Sequence, residues 1–247
     1  MLFSSAFQNH IYYRIAGASV VFLMNTINMF RITTSLIEQL PLHPELKEFY
    51  EMGLRGRYVT IWNMMIQIVY TGFALTCDLS TVLNKEAMVP NKIRTYRNTL
   101  FYGLLFPVGM AISAVFWPYF LYDRELILPV VADAILSPFD NFMVHGVVTM
   151  YAVFELVFIP RETKNDLYSP IKYLSWFNVL YVLTIFFTRY VDVGMWAYEI
   201  LRVTEGTPWL YLVIAHPVLC CFFFYAVQWK ILDAIWQKRE SLLEKNL

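Results

Sequence analysis

The stretch WLYLVIAHPVLCCFFFYAVQW, residues 209–229, contains no charged side chain. About 20 apolar residues are enough for a helix to cross the hydrocarbon core of a bilayer, so this stretch predicts a membrane span. The composition agrees, because 58% of the residues are hydrophobic and 15% are charged, against about 45–50% and 25% in soluble domains. The chain is therefore expected to be a helical membrane protein.

Five further apolar stretches lie between short polar loops, and a soluble core formed by 247 residues is too small to enclose all six. We therefore predict an all-α fold, a bundle of six transmembrane helices in a single domain covering residues 1–247. The expected spans are Ile11–Phe30, Tyr58–Thr76, Thr99–Leu121, Phe142–Ile159, Lys172–Thr188 and Trp209–Trp229.

The distribution of basic residues predicts the orientation of these spans. Of the 19 Lys and Arg residues, twelve fall in the termini, the second loop and the fourth loop, and seven fall in the other three loops. Because cytosolic segments carry the excess of basic residues, both termini are predicted to be cytosolic. We expect the protein in the endoplasmic reticulum or another endomembrane, or in the cell membrane, and the sequence does not distinguish between these locations.

Several function classes lose support from the composition. The net charge is zero, without a long basic run, so no nucleic-acid partner is expected. The four histidines are isolated and the three cysteines form no spaced set, so no metal site and no cofactor are expected. The expected partners are the lipid bilayer and a lipid substrate, and protein partners stay open.

A polar stripe marks the second span. Thr60, Asn63, Gln67 and Thr71 fall within about 80° of arc at 100° per residue. Polar side chains in lipid need partners, so this stripe is expected to face protein or water. In the fourth span His145 and Thr149 share a face at a spacing of four residues.

Topology pairs Thr60 with His145, because the second and fourth spans both start from the non-cytosolic side. Each residue is expected in the first turn of its helix, where a hydroxyl and an imidazole at matched depth form a possible nucleophile and base. Simpler readings remain open. Thr60 could cap its helix or bond to a carbonyl of the preceding turn, His145 could be a hydrogen-bonded anchor, and Asn63 and Gln67 could join helices.

Several segments resemble the androgen-induced-gene family. They are Arg55–Thr60 with Asn63 and Gln67 beyond, Phe106–Gly109, Ala114–Trp117, Tyr122–Glu125 with Pro129, His145–Gly146, and Gly194–Tyr198. The resemblance implies six spans and an intramembrane threonine hydrolase that cleaves fatty acid esters of hydroxy fatty acids, a carboxylic ester hydrolase. It puts the nucleophile on Thr60 and the catalytic His on His145. The chain departs from the family pattern at Val148, where a second His is expected.

The remaining site residues are expected around this pair. Asn63 is the nearest side-chain donor for an oxyanion, with Gln67 and Thr149 as further polar candidates. Arg57, Arg124 or Arg189 could bind the free carboxylate of the substrate. Candidates for the group that orients His145 are Asp123, Glu125 and Asp140.

Two other classes of function compete with the hydrolase. The first is a non-enzymatic membrane scaffold or regulator of a partner protein, in which Thr60 and His145 only join helices. The second is a small transporter, although no inverted repeat is visible. Glu155, near the cytosolic end of its span, is expected to be an interfacial residue.

Overall fold

The computed structural model describes residues 11–159 and 167–237. Five of the basic residues behind the predicted orientation, Arg161, Lys164, Lys238, Arg239 and Lys245, lie outside these ranges. Within them six helices are long and apolar enough to cross a membrane. We label them α1 (Ile11–Gln39), α2 (Val59–Val82), α3 (Asn91–Tyr122), α4 (Pro138–Phe158), α5 (Tyr168–Asp192) and α6 (Trp209–Ile235).

The predicted fold class and the number of spans are confirmed, since the described residues form these six helices without a β-strand. The helices are mostly longer than the predicted spans, because helical structure continues into the polar flanking turns. Loops 40–58, 123–137 and 193–208 lie at one end of the bundle, which we call the outer end. The charge pattern places this end away from the cytosol, and that orientation stays a prediction.

The start of α4 corrects the expected depth of His145. The helix begins at Pro138, because Ser137 and Asp140 form a capping box at its N-terminus. His145 therefore lies two turns inside its helix, about 10 Å along the axis. The expectation that His145 occupies the first turn was wrong.

Helix packing follows the order of the chain in part. α1 packs against α2, α3 packs against both α4 and α6, and α5 packs against the start of α3. A close backbone approach involves Gly103 of α3, where a Cβ atom would lie 2.6 Å from the carbonyl oxygen of Pro170 in α5. Glycine is the residue that permits such an approach.

The polar stripe of α2 faces protein as predicted. Asn63, Gln67 and Thr71 are buried, and Thr60 at the outer end is half-buried. The expectation for Glu155 was wrong, because it is 1% exposed and accepts hydrogen bonds from the Tyr70 and Tyr151 hydroxyls.

Candidate active site

A cavity of about 350 Å³ lies in the outer half of the bundle, and all six long helices contribute to its wall. Its volume is in the range of about 300–1,000 Å³ that is usual for ligand pockets. Most of the lining side chains are aliphatic or aromatic. The polar side chains in the wall are Thr33, Thr60, His145, Asn178, Cys221 and the tyrosines 58, 119, 181 and 198. The cavity therefore suits a largely apolar ligand with a small polar group.

Thr60 is the second residue of α2, and its hydroxyl makes no hydrogen bond to a described residue. In the same helix Thr71 and Thr76 donate to the carbonyl four residues earlier, at 2.7 and 2.8 Å. Thr60 has no such option, because the carbonyl of Gly56 lies before the helix and accepts from Trp62 Nε1 at 2.7 Å. Neither of the structural roles considered for Thr60 is observed, and the hydroxyl is free within the cavity wall.

The turn before α2 fixes the position of Thr60. The short helix Lys47–Leu54 is followed by Gly56 with φ 63°, and the Arg57 N–H donates to the Met52 carbonyl. This pattern is a Schellman cap, which favours glycine at the left-handed position. α2 then begins at Val59.

Two tyrosines hold the first residue of α2. The Val59 N–H donates to the hydroxyls of Tyr181 and Tyr198, at 3.0 and 3.1 Å, and the two hydroxyls lie 3.0 Å apart. The Tyr181 hydroxyl also donates to the Arg57 carbonyl at 3.1 Å. Burial raises the pKa of Tyr198 above its ordinary value, so this hydroxyl stays protonated. Both tyrosines were missed as site residues from the sequence, although Tyr198 lies in one of the resembling segments.

The imidazole of His145 is buried in the cavity wall and stacks on Phe116. The ring centroids are 3.5 Å apart and the planes differ by 6°. His145 Nδ1 lies 3.1 Å from the Asn141 carbonyl oxygen and 2.8 Å from Asn141 Oδ1. Because a backbone carbonyl can only accept, Nδ1 carries the hydrogen. Nε2 then has the free lone pair, and it makes no hydrogen bond to a described residue.

The backbone of His145 is held by α3. His145 lies in a π-helical segment, Met143–Val147, and its carbonyl accepts from the Ser113 hydroxyl and, at 3.2 Å, from Trp117 Nε1. Thr149 donates toward the Gly109 carbonyl at 3.1 Å and lies 2.5 Å from the Ser113 hydroxyl. Thr149 therefore joins α4 to α3 and does not line the cavity.

Asn63 and Gln67 also lie outside the cavity wall. Gln67 accepts a hydrogen bond from Asn25 of α1 at 3.0 Å, which joins the first two helices. Asn63 is fully buried, and its amide makes no hydrogen bond to a described residue. The role of either side chain as an oxyanion donor stays a prediction.

The arginines expected to bind a carboxylate are already in ion pairs with acidic side chains. Arg57 pairs with Asp192 at 2.7 Å, Arg124 with Asp133 at 2.6 Å, and Arg189 with Glu205 at 2.9 Å. The hydrogen bond to Asp133 raises the pKa of Arg124, and the hydrogen bond from Arg189 lowers the pKa of Glu205. These pairs fasten the outer loops, and a substrate carboxylate would have to compete with them.

The three carboxylates considered as partners of His145 also bind elsewhere. Asp123 accepts from the Glu125 N–H, and Glu125 accepts from the Val130 N–H. Asp140 completes the capping box of α4 and pairs with Arg31 at 3.3 Å. Among the described residues no cluster of His, Cys, Asp and Glu has the geometry of a metal site.

The fold and the site define a class of protein, a six-helix membrane protein whose helices enclose an apolar cavity with a free threonine hydroxyl and a buried histidine. Residues 18–232 match the model of the FAR-17a/AIG1-like protein family, and the chain belongs to that family. The predicted resemblance is thereby confirmed.

Curated relatives agree with the family match. The chain is 29% and 32% identical to the androgen-dependent TFPI-regulating proteins of Mus musculus and Rattus norvegicus, over 63% of this chain and 66% of each of those proteins. The matched part is just under two thirds of their length. It is 26% identical to the androgen-induced gene 1 protein of Homo sapiens, over 82% of this chain and 86% of that protein. No solved structure matches the chain significantly.

Proposed function

We propose that this protein is an intramembrane hydrolase of lipid carboxylic esters, with fatty acid esters of hydroxy fatty acids as its substrate class. One observation carries the proposal: the unbonded Thr60 hydroxyl and the imidazole of His145 line the same apolar cavity. The family resemblance supplies the substrate class and independently points to these two residues. The apolar wall can receive the acyl chains, while the ester lies at the outer end beside Thr60.

In the first half of the reaction Thr60 Oγ attacks the ester carbonyl and His145 Nε2 takes its proton. The C–O bond to the alcohol then breaks, and His145 returns the proton to the leaving hydroxy fatty acid. Thr60 lies at the N-terminus of α2, so the positive end of the helix dipole favours the oxyanion that develops beside it. The products of this half are the alcohol and an acyl group on Thr60.

In the second half water attacks the acyl group on Thr60. His145 Nε2 takes one proton of the water and returns it to Thr60 Oγ as the acyl–oxygen bond breaks. The fatty acid leaves and the hydroxyl is restored. No hydrogen bond joins Thr60 to His145 in this structure, and catalytic hydrogen bonds often form only when substrate is bound.

The test measures release of hydroxy fatty acid by the protein purified in lipid nanodiscs. Thr60→Ala and His145→Ala should each reduce turnover at least about 100-fold, since each removes a covalent or proton-transfer step. A fluorophosphonate probe should label the wild-type protein at Thr60 and should fail to label Thr60→Ala. The matched control is Thr76→Ala, which removes a threonine bonded within the same helix and should retain wild-type turnover.

Unchanged turnover in folded Thr60→Ala would contradict the proposal. A wild-type protein that neither labels nor cleaves the ester would favour the scaffold, because a scaffold needs no reactive hydroxyl.

A further inference from the structure

The hydroxyls of Tyr181 and Tyr198 lie at the N-terminal end of α2. A helix leaves its first N–H groups without partners inside the helix, and the Tyr58 side chain at the N-cap position makes no capping bond. The two hydroxyls, one from α5 and one from the loop after it, accept from the Val59 N–H instead. Both tyrosines line the cavity together with Val59 and Thr60, so this cap belongs to the cavity wall next to the threonine.

The groups around the two tyrosines determine where their hydroxyl hydrogens can go. The Arg57 carbonyl can only accept, and the Tyr181 hydroxyl donates to it at 3.1 Å. The Tyr198 hydroxyl lies 3.0 Å from the Tyr181 oxygen, and its other hydrogen-bond partner among the described residues is the Val59 N–H, which is itself a donor. The Tyr198 hydrogen therefore has no carbonyl to bind, and it is free to turn from the Tyr181 oxygen to a ligand.

Tyr198 is held in place without the use of its hydrogen. An effective oxyanion donor is fixed in position before the reaction and still has its hydrogen available. Tyr181 is fixed, but its hydrogen is bound to a backbone carbonyl. The ring of Tyr58 has its centroid 5.6 Å from that of Tyr198 and also lines the cavity, but no hydrogen bond to a described residue fixes its hydroxyl. Of these three tyrosines, Tyr198 combines a fixed oxygen with an available hydrogen.

We propose that Tyr198 is a catalytic residue whose hydroxyl donates a hydrogen bond to the carbonyl oxygen of the bound ester. This inference rests on the proposed function for its catalytic meaning. When Thr60 attacks, negative charge develops on that oxygen near the N-terminus of α2, where the helix dipole adds to the hydrogen bond. The hydroxyl keeps its proton throughout, because burial raises the pKa of Tyr198.

The first test reads the hydrogen bond directly and needs no turnover. The probe is a long-chain ketone with a ¹³C-labelled carbonyl, an analogue of the ester that cannot be cleaved. The parent protein is Thr60→Ala in nanodiscs, which removes the threonine hydroxyl as a competing donor. The infrared carbonyl band of the bound ketone should lie at lower wavenumber than in empty nanodiscs, because a hydrogen bond weakens the C=O bond. Adding Tyr198→Phe should return the band to its position in empty nanodiscs, whereas adding Tyr58→Phe should leave it shifted.

The second test measures ester cleavage in the protein that retains Thr60. Tyr198→Phe should lower kcat about 100-fold, a usual loss for one oxyanion donor. KM should change less than about threefold, because the hydrogen bond strengthens chiefly in the transition state. Tyr181 still accepts from the Val59 N–H in this variant, so the cap of α2 should persist. The matched control is Tyr225→Phe, which removes a hydroxyl that donates to a backbone carbonyl outside the cavity wall and should retain wild-type kcat.

The outcomes separate this inference from the proposed function. A ketone band in the parent protein equal to that in empty nanodiscs would overturn the inference, as would a band that moves with Tyr58→Phe and not with Tyr198→Phe. Unchanged kcat in folded Tyr198→Phe would overturn the catalytic role of the hydroxyl. If wild-type protein cleaves no ester but Tyr198→Phe still moves the ketone band, the proposed function fails and Tyr198 remains the residue that binds the ligand carbonyl.

Discussion

The amide of Asn63 is fully buried within the bundle without a hydrogen bond to a described residue. An unpaired buried amide costs about 1–3 kcal/mol of stability. Asn63→Leu should therefore raise the free energy of unfolding by roughly 1 kcal/mol, measured in nanodiscs by tryptophan fluorescence. Turnover should stay near that of the wild type, because Asn63 does not line the cavity.

A folded Asn63→Leu protein that has lost turnover would give a different answer. It would mean that the amide serves the reaction, as the sequence suggests for an oxyanion donor.

The polar stripe of α2 also shows that helical periodicity alone does not predict which polar side chains line the cavity. Thr60 and Asn63 are one turn apart on one face, yet the first lies in the cavity wall and the second is buried outside that wall.

At the scale of elements, α3 and α5 meet at Gly103. A Cβ atom at this position would be 2.6 Å from the Pro170 carbonyl oxygen, and the backbone of a packed helix yields little. Gly103→Ala should lower the free energy of unfolding by about 1–3 kcal/mol, as overpacking does in other cores.

Gly72 of α2 supplies the matched control for this substitution. Outside its own helical backbone, no atom of the described residues lies within 4 Å of the position that a Cβ atom would take at Gly72. Gly72→Ala should therefore raise stability by about 0.5–1 kcal/mol through helix propensity alone. Equal effects of the two substitutions would show that the α3–α5 contact is looser than this structure indicates.

The helical geometry of α4 is irregular at His145. The π-helical segment Met143–Val147 contains His145, and π segments are frequent at functional sites. A regular helical pattern drawn from the sequence does not anticipate such a segment. The capping box at Ser137 and Asp140 was visible in the sequence, and it would have given the correct start of α4.

At the scale of the whole molecule, a buried ion cluster joins three helices at the end opposite the cavity. Asp78 of α2 pairs with Arg14 of α1 and, at 3.0 Å, with Arg97 of α3. Removing one member of a buried pair leaves a charge without compensation, at a cost of about 3–5 kcal/mol. Asp78→Asn should lower the free energy of unfolding by about this amount and should leave kcat of the folded fraction unchanged.

Asp133→Asn is the control for that prediction, because the Arg124–Asp133 pair lies at the surface. Surface pairs contribute about 0–1 kcal/mol, so this variant should unfold close to the wild type. A similar loss in both variants would mean that the cluster at Asp78 is hydrated and contributes no more than a surface pair.

The sequence determined the features that depend on local composition. Length and hydropathy predicted the six spans, since a helix that crosses a bilayer must carry about 20 apolar residues whatever it packs against. Helical periodicity showed that the stripe of α2 faces protein. Polarity and the family resemblance point to Thr60 and His145 without reference to how their helices pack.

The tertiary structure decided which polar groups are paired and which are free. Arg57 and Arg189 pair with Asp192 and Glu205 on other segments of the chain, and the His145 carbonyl accepts from Ser113 and Trp117 of α3. Hydrogen bonds and ion pairs act over a few ångströms, so they depend on how helices far apart in the chain are placed against one another. Periodicity tells which way a side chain points along its own helix, and packing alone determines what it meets there.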